Sequence, residues 1–507
     1  MFFMRQTIIV MSRHIEYDQK NEVYKHYQKL DAGFFKTHST GDLMNRIAED
    51  VSRVRMYTGP AIMYFINLSS TIAFCLYFML KESAQLTLYV LAPLPLLAIT
   101  IYTVNTIINK KSEKVQSLLS DLTTNAQETY SAIRVIKSFV QEKAMLGFFK
   151  KNSEDYRKNT VSLAKVEAVY FPSMTLMIGL STLITIFIGG QYVIDGKLGV
   201  STIVEFVIYI NMLTFPVSAL GWTASMTQRA AASQKRLNEF LQSEPSIEDA
   251  KDLKPVTLHG DIVFDNISFT YPHTGIKALQ HFSLTVKAGE KVLILGRTGS
   301  GKSTLAQLLL HYYDADEGKI TIGNKNINDI PLKNLREQIS YVPQDVFLFS
   351  DTVANNISFG LSKSATPEDV QQSAKYASVH NEILGLDKGY ETLVGERGVT
   401  LSGGQKQRIS IARALIKEPH IMLFDDCLSA VDSKTENEII RHLYNVLANK
   451  TAIIITHRIF TVLNFDKIVI IEDGTIIEQG THEELLFANG YYAELYRLQI
   501  SNEQSAA

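Results

Sequence analysis

Four apolar runs, each long enough to cross a lipid bilayer, crowd into the first 225 residues of this chain. They lie at about 60–80, 86–108, 169–193 and 200–220. The polar turn Lys81-Glu82-Ser83 joins the first two, and Asp195-Gly196-Lys197 joins the last two. A buried helix of a soluble protein can mimic one such run, but not four in two tight pairs. The pattern predicts an α-helical membrane bundle.

Charge sets its orientation. Lys110, Lys111, Lys114, Arg134, Lys137, Lys143, Lys150, Lys151, Arg157 and Lys158 lie between the second and third runs, whereas the two short turns carry only Lys81 and Lys197. Positive charge stays in the cytoplasm, so the long connection and both termini belong on that side. Val115, Leu118, Leu119 and Leu122 repeat at helical spacing, as do Ile133, Ile136 and Val140. The membrane helices are therefore expected to continue into the cytoplasm, with a turn near Thr123–Ser131. Pro93, Pro95, Pro172 and Pro216 are candidate kinks. Glu205, an acid within the fourth run, is expected near the outer interface rather than at membrane depth.

At 507 residues the chain exceeds one ordinary domain. The polar stretch Leu241–Pro255 marks a boundary between a membrane domain, 1–240, and a second domain, 255–507. A net charge of −2 argues against a dedicated nucleic-acid binder. Cys75 and Cys427 suggest neither a disulfide framework nor a zinc site.

The second domain patterns as soluble α/β. Its apolar run Val292-Leu293-Ile294-Leu295 leads into Gly296-Arg297-Thr298-Gly299-Ser300-Gly301-Lys302-Ser303-Thr304, then into Leu305, Leu308 and Leu309. That is strand, glycine loop, helix. Such a segment supplies backbone N–H donors, a helix N-terminus and a cation, which together suit a nucleotide's phosphates. Lys302 is expected to reach the β- and γ-phosphates, and the Ser303 hydroxyl to hold Mg²⁺. Ile421-Met422-Leu423-Phe424 reads as a buried strand ending in Asp425-Asp426, where a carboxylate can orient Mg²⁺. Ile453-Ile454-Ile455 ends in Thr456-His457, and Tyr341-Val342-Pro343-Gln344-Asp345 offers an amide to the metal or the attacking water. Tyr271, just ahead of Pro272, is a candidate for stacking on a base. Leu401-Ser402-Gly403-Gly404-Gln405 precedes a helical run, Lys406–Leu415, and forms a second anion-binding helix start. Two phosphate-binding helix ends in one chain point to a head-to-tail dimer, each ATP lying between one subunit's phosphate loop and the other's serine-glycine turn.

On these residues the chain resembles the ATP-binding cassette (ABC) exporters along nearly its whole length. Gly296–Thr304 is similar to the Walker A loop, Leu401–Gln405 to the superfamily signature, Gln344 to the Q-loop, Tyr271 to the adenine-stacking aromatic, Ser429-Ala430-Val431-Asp432 to the D-loop and His457 to the switch histidine. Val394–Gly398 resembles a segment typical of exporters. Phe34-Phe35 with Ser39–Leu43 resemble the first region that couples cassette to membrane helices, and Gln127-Glu128, Ile133-Arg134 and Lys137-Ser138-Phe139 the second. The resemblance implies a membrane bundle fused to a P-loop ATPase cassette with a helical and an antiparallel β subdomain. It also implies ATP and Mg²⁺ as ligands, with Ser303, Gln344 and Asp425 on the metal and Asp426, His457 and Lys302 in catalysis. Arg297, Thr298, Gly299, Ser300, Gly301 and Thr304 then hold phosphate, while Ser402, Gly403, Gly404 and Gln405 serve the partner's nucleotide. It further implies ATP-driven alternating access in a multi-pass protein of the bacterial inner or plasma membrane, exporting a hydrophobic or amphipathic substrate.

Two departures shape the expectation. Half-transporters of this type usually carry six spans before the cassette and four are counted here, the chain beginning about where a second span would be ending; alone, it is not expected to transport. The family usually has glutamate where this chain has Asp426. The shorter carboxylate predicts slow hydrolysis at this chain's own Walker site, since a displacement near 1 Å costs on the order of 10²-fold in rate. The pattern resembles one half of a heterodimeric exporter, with a homodimer, a non-transporting or regulatory cassette ATPase subunit, or a truncated remnant as the alternatives.

Overall fold

The structure is a computed structural model that describes residues 2–250, 253–361, 363–395, 398–427, 433–459 and 465–506. It divides into two compact units: residues up to Gln28 with Gly41–Ser243, and Lys29–Thr40 with Glu244 onward.

The first unit is helical throughout. Its main helices are α1 (Val10–Lys29), α2 (Ile62–Glu82), α3 (Pro93–Ser131), α4 (Glu142–Ile194) and α5 (Val200–Leu241). Helix α2 continues a helical run that begins at Thr40. Among the described residues, Thr40–Glu82, Thr175–Ile194 and Val200–Leu241 are long and apolar enough to cross a membrane. The remaining expected run, 86–108, falls on the helix Ala84–Leu91 and the start of α3, where Leu94, Leu96, Leu97, Ala98, Ile101, Tyr102 and Asn105 have side chains outside the described residues. At 1.5 Å per residue, the 53 residues of α4 reach about 80 Å, well beyond the roughly 30 Å of hydrocarbon. Phe74, Tyr77, Leu183, Phe187 and Ile194 are exposed on the helix surfaces, as suits a lipid-facing bundle. Cys75, Met79, Leu86, Val90, Phe206, Ile210 and Leu213 form its buried apolar cluster.

The expected turn near Thr123–Ser131 is not there. Helix α3 runs unbroken to Ser131, and the reversal comes at Ala132–Gln141 around a short helix, Ile133–Ser138. Residues 123–131 contain neither glycine nor proline and continue the helix, while Val140 takes a left-handed φ of 55° where the chain turns. Pro93 opens α3, whereas Pro172 and Pro216 lie inside unbroken helices. Glu205 is half-buried in the second turn of α5, close to the Asp195-Gly196-Lys197 turn.

In the second unit the first sheet is antiparallel, order β2-β1-β4-β5, from β1 (Ile262–Thr270), β2 (Lys277–Val286), β4 (Glu317–Ile322) and β5 (Lys325–Asn326). The second has order β10-β9-β3-β8-β7-β6, from β3 (Lys291–Gly296), β6 (Ile339–Val342), β7 (Ile421–Asp425), β8 (Thr451–Ile455), β9 (Lys467–Glu472) and β10 (Thr475–Gly480). All its pairings are parallel except β9 with β10. Strands β7 and β8 are buried at every position, which is why they read as continuous apolar runs. Helix α6 (Lys302–Leu309) follows β3. A helical group between β6 and β7 ends in α7 (Gly403–Leu415). The carboxyl ends of β3, β7 and β8 meet at one edge, the position where open α/β sheets bind ligands.

Candidate nucleotide site

The phosphate loop owes its shape to its glycines. Gly296 leaves β3 at φ 155°, and a Cβ there would lie 2.2 Å from the Ile471 carbonyl oxygen. Gly301 opens α6 at φ 96°, and its Cβ would lie 2.2 Å from the Ala278 carbonyl oxygen. Neither position accommodates a side chain. Among the described residues no side chain caps α6, so its first-turn amides are open to the loop, and the positive end of its dipole faces whatever the loop encloses.

Lys302 is only 6% exposed. Its Nζ donates to the carbonyls of Gly296 (2.8 Å) and Arg297 (2.7 Å), which holds the ammonium across the loop's own opening. Burial pushes its pKa down, against the pull of Asp426 and Asp425. The Ser300 hydroxyl oxygen is buried in the same loop without a hydrogen-bond partner among the described residues.

Two loops carry acids and a histidine to the loop. The Asp426 amide donates to Ile455 O (2.8 Å) and the Thr456 amide to Ile294 O (3.1 Å), which ties the ends of β7, β8 and β3 together. Asp425 is 3% exposed, and its Oδ1 accepts from the Ser303 hydroxyl at 2.9 Å. Burial raises its pKa, a rise that hydrogen bonds from Ser303 and Tyr341 oppose. Asp426 sits at a left-handed φ of 44°. Its Oδ2 lies 3.4 Å from Gln344 Nε2 and 3.2 Å from His457 Nε2. Two oxygen donors 2.9 Å apart beside an amide suit a hard divalent cation such as Mg²⁺.

A cavity of about 270 Å³ joins these groups, lined by Tyr271, Ile276, Ala278, Thr298, Gly299, Gly301, Lys302, Ser303, Thr304, Gln344, Asp425, Asp426, Ile455 and His457. Of the residues expected to touch nucleotide or metal in this chain's own site, Gly296, Arg297 and Ser300 are absent from that lining. Gly296 and Ser300 are buried within the loop, and Arg297 is 71% exposed. Tyr271 is half-buried, with its hydroxyl held by Thr304 Oγ1 (3.0 Å) and Gln307 Oε1 (3.1 Å).

Ser402, Gly403, Gly404 and Gln405 are not part of this lining. They form the start of α7, where the Gln405 amide donates to Ser402 Oγ (3.2 Å) and the Ser402 amide to Gln405 Oε1 (2.9 Å). Ser402 and Gly403 are exposed. The expected D-loop, Ser429-Ala430-Val431-Asp432, lies outside the described residues, as do Glu396 and Arg397 of the exporter-type segment. Sequence reasoning assigned no role to Tyr341, whose hydroxyl donates to Asp425 Oδ2 at 3.2 Å, or to Gln307, which orients Tyr271. The alignment of β6 beside β7 is what brings Tyr341 to Asp425.

A parallel-sheet P-loop ATPase joined to membrane-length helices defines an ATP-driven membrane transporter. Residues 1–217 match the ABC transporter transmembrane region family and residues 279–429 the ABC transporter family. The chain is 38% identical to the probable multidrug resistance ABC transporter ATP-binding/permease protein YheI of Bacillus subtilis, over 95% of this chain and 82% of that one. It is 34% identical to the multidrug resistance-like ATP-binding protein MdlA of Escherichia coli, over 98% of this chain and 84% of that one. A solved bacterial Atm1-family ABC exporter with ATP bound superposes with a TM-score of 0.79 at 27% identity, covering 98% of this chain and 86% of that one. The chain belongs to the ABC exporters, half-transporters that work as dimers in the membrane and couple ATP hydrolysis to transport.

Proposed function

We propose that this chain is one subunit of a heterodimeric exporter that moves a hydrophobic or amphipathic substrate across the bacterial inner or plasma membrane, with its cassette in the cytoplasm. Residues 1–240 form the membrane domain with four spans, and 255–507 form the cassette. The apolar, paired runs and the inside-positive connection support that arrangement. The relatives named for multidrug resistance support the substrate class.

In this reading Lys302 and the loop amides from Gly299 to Thr304 bind and neutralise the phosphates, and Tyr271 stacks on adenine. Ser303, Asp425 and Gln344 hold Mg²⁺, which supplies charge neutralisation across the β- and γ-phosphates. Asp426 positions the attacking water, and His457 faces the γ-phosphate. The serine-glycine turn, Ser402 to Gln405, serves the nucleotide of the other subunit. The observation that carries the unequal-site reading is the short Asp426 carboxylate, whose Oδ2 already lies within reach of Gln344 and His457 of its own cassette. One methylene less than glutamate leaves it farther from a water at the γ-phosphate, at a cost on the order of 10²-fold in rate.

The test is ATPase turnover of the purified chain alone and with the partner subunit, with and without Asp426→Glu. Slow turnover alone, fast turnover in the pair and a gain from Asp426→Glu in the pair support the proposal. Fast turnover by the homodimer overturns it.

A further inference from the structure

Asp425 is held by more than Ser303. Strand β6 lies beside β7 in parallel, with Tyr341 in register with Leu423. Residues two apart on a strand share a face, so Asp425 lies on the face of Leu423 and one diagonal step from Tyr341. A side chain as long as tyrosine crosses that step, and its hydroxyl reaches Asp425 Oδ2 at 3.2 Å while Ser303 takes Oδ1 at 2.9 Å. The two carboxylate oxygens therefore have separate donors, one from the phosphate-loop helix and one from the neighbouring strand. Asp425 is 3% exposed, so an oxygen deprived of its donor gains little from water. The tyrosine is itself half-buried and packs against the apolar cluster of the sheet.

We infer that Tyr341 is a positioning residue for the metal: its hydroxyl fixes the Asp425 carboxylate so that Oδ1 faces the cation beside Ser303. This rests on the reading of Asp425 as a metal-facing group. Tyr341 is not among the residues that line the cavity. It acts by limiting the rotation of a group that does, as outer-shell partners of metal-binding carboxylates do.

The experiment uses the full chain in lipid nanodiscs and a fluorescent ATP analogue, with binding measured in EDTA and across a Mn²⁺ titration. Tyr341→Phe deletes one oxygen. The expected result is unchanged binding in EDTA and about a ten-fold higher Mn²⁺ concentration for half-maximal tightening of nucleotide binding. A 3-fluorotyrosine at position 341, which keeps the hydroxyl, retains the parental Mn²⁺ dependence. Tyr341→Phe within twofold of the parent overturns the inference. So does equal weakening in EDTA, or a fluorotyrosine protein that behaves like the phenylalanine variant. Asp425→Asn separates the two levels of the argument. If it leaves the Mn²⁺ dependence unchanged, the metal role of Asp425 fails; if it abolishes that dependence while Tyr341→Phe does nothing, only the role of Tyr341 fails.

Discussion

The two helix starts of the cassette that the sequence marks as anion sites are finished differently. Helix α6 begins at a left-handed glycine with no side-chain cap, and its lysine folds back onto carbonyls of the same loop. Helix α7 begins at Ser402 in extended backbone and is closed by a reciprocal pair of hydrogen bonds with Gln405. The first start opens into a cavity with its acids and histidine alongside; the second is exposed and shares none of that lining. A helix start that leaves its amides uncapped can give them to a ligand. One that caps itself folds without a ligand, yet Ser402 Oγ accepts only an N–H and keeps its own hydrogen to donate. The contrast fits a division of labour in which the phosphate loop binds its own nucleotide tightly and the serine-glycine turn presents a preformed surface to another subunit's nucleotide.

The sharpest way to break that contrast is at the first start. Lys302→Ala removes the loop's cation, and turnover of the dimer at this site is expected to fall on the order of 10²–10³-fold, with nucleotide affinity falling alongside it. Unchanged affinity for a fluorescent ATP analogue would refute the assignment. Gly301→Ala acts on the same loop through the backbone. Its new Cβ has the Ala278 carbonyl 2.2 Å away at a φ that alone costs about 1–3 kcal/mol. A lower melting temperature together with lost nucleotide binding is expected.

Next in size is Asp426→Glu. The extra methylene restores reach toward the attacking water, and a gain of up to about 10²-fold in ATPase of the paired complex is expected. No gain sinks the idea that this site is slow because of its acid. Ser402→Ala probes the other start. It removes an N-cap worth about 1 kcal/mol and a hydroxyl donor, so the partner's turnover falls while this chain's own nucleotide affinity holds. Equal loss of own-site affinity would contradict the division drawn above.

Much of this was readable in the chain because the local code and the global fold agree. Strands buried on both faces must be apolar without interruption, so Ile421–Phe424 and Ile453–Ile455 stand out, and the groups that follow them fall at one sheet edge. The glycine loop is legible because its glycines answer steric demands that nothing else meets. The link from Tyr341 to Asp425 was not legible, because it depends on the register of two strands whose residues lie 84 apart in sequence. The turn expected at Thr123–Ser131 was misplaced for a related reason. Apolar periodicity locates a helix but not its end, and no glycine or proline marks one before Ala132.

The smallest expected effect concerns Lys29–Thr40, the segment grouped by its contacts with the cassette. Asp31 caps the helix Ala32–Thr37 by accepting from the Phe34 amide (2.9 Å), and it also accepts from the Ser246 amide (2.5 Å) and hydroxyl (2.7 Å). Burial pushes its pKa up, but the hydrogen bonds from Ser246 and Phe34 outweigh that and hold the pKa below the usual aspartate value. A carboxylate whose pKa is lower when folded contributes its stabilisation fully above the unfolded value, near 3.9, and loses it as pH falls through the folded pKa. Hydrogen exchange at Phe34 and Ser246 should therefore be slow at neutral pH and lose protection progressively as the pH is lowered below about 5. Asp31→Asn caps a helix about as well, so neutral protection at Phe34 should change little. Its acid-dependent loss should flatten, because asparagine has no proton to gain over that range. If both proteins lose protection in parallel on acidification, some other group controls the segment, and Asp31 is only a cap.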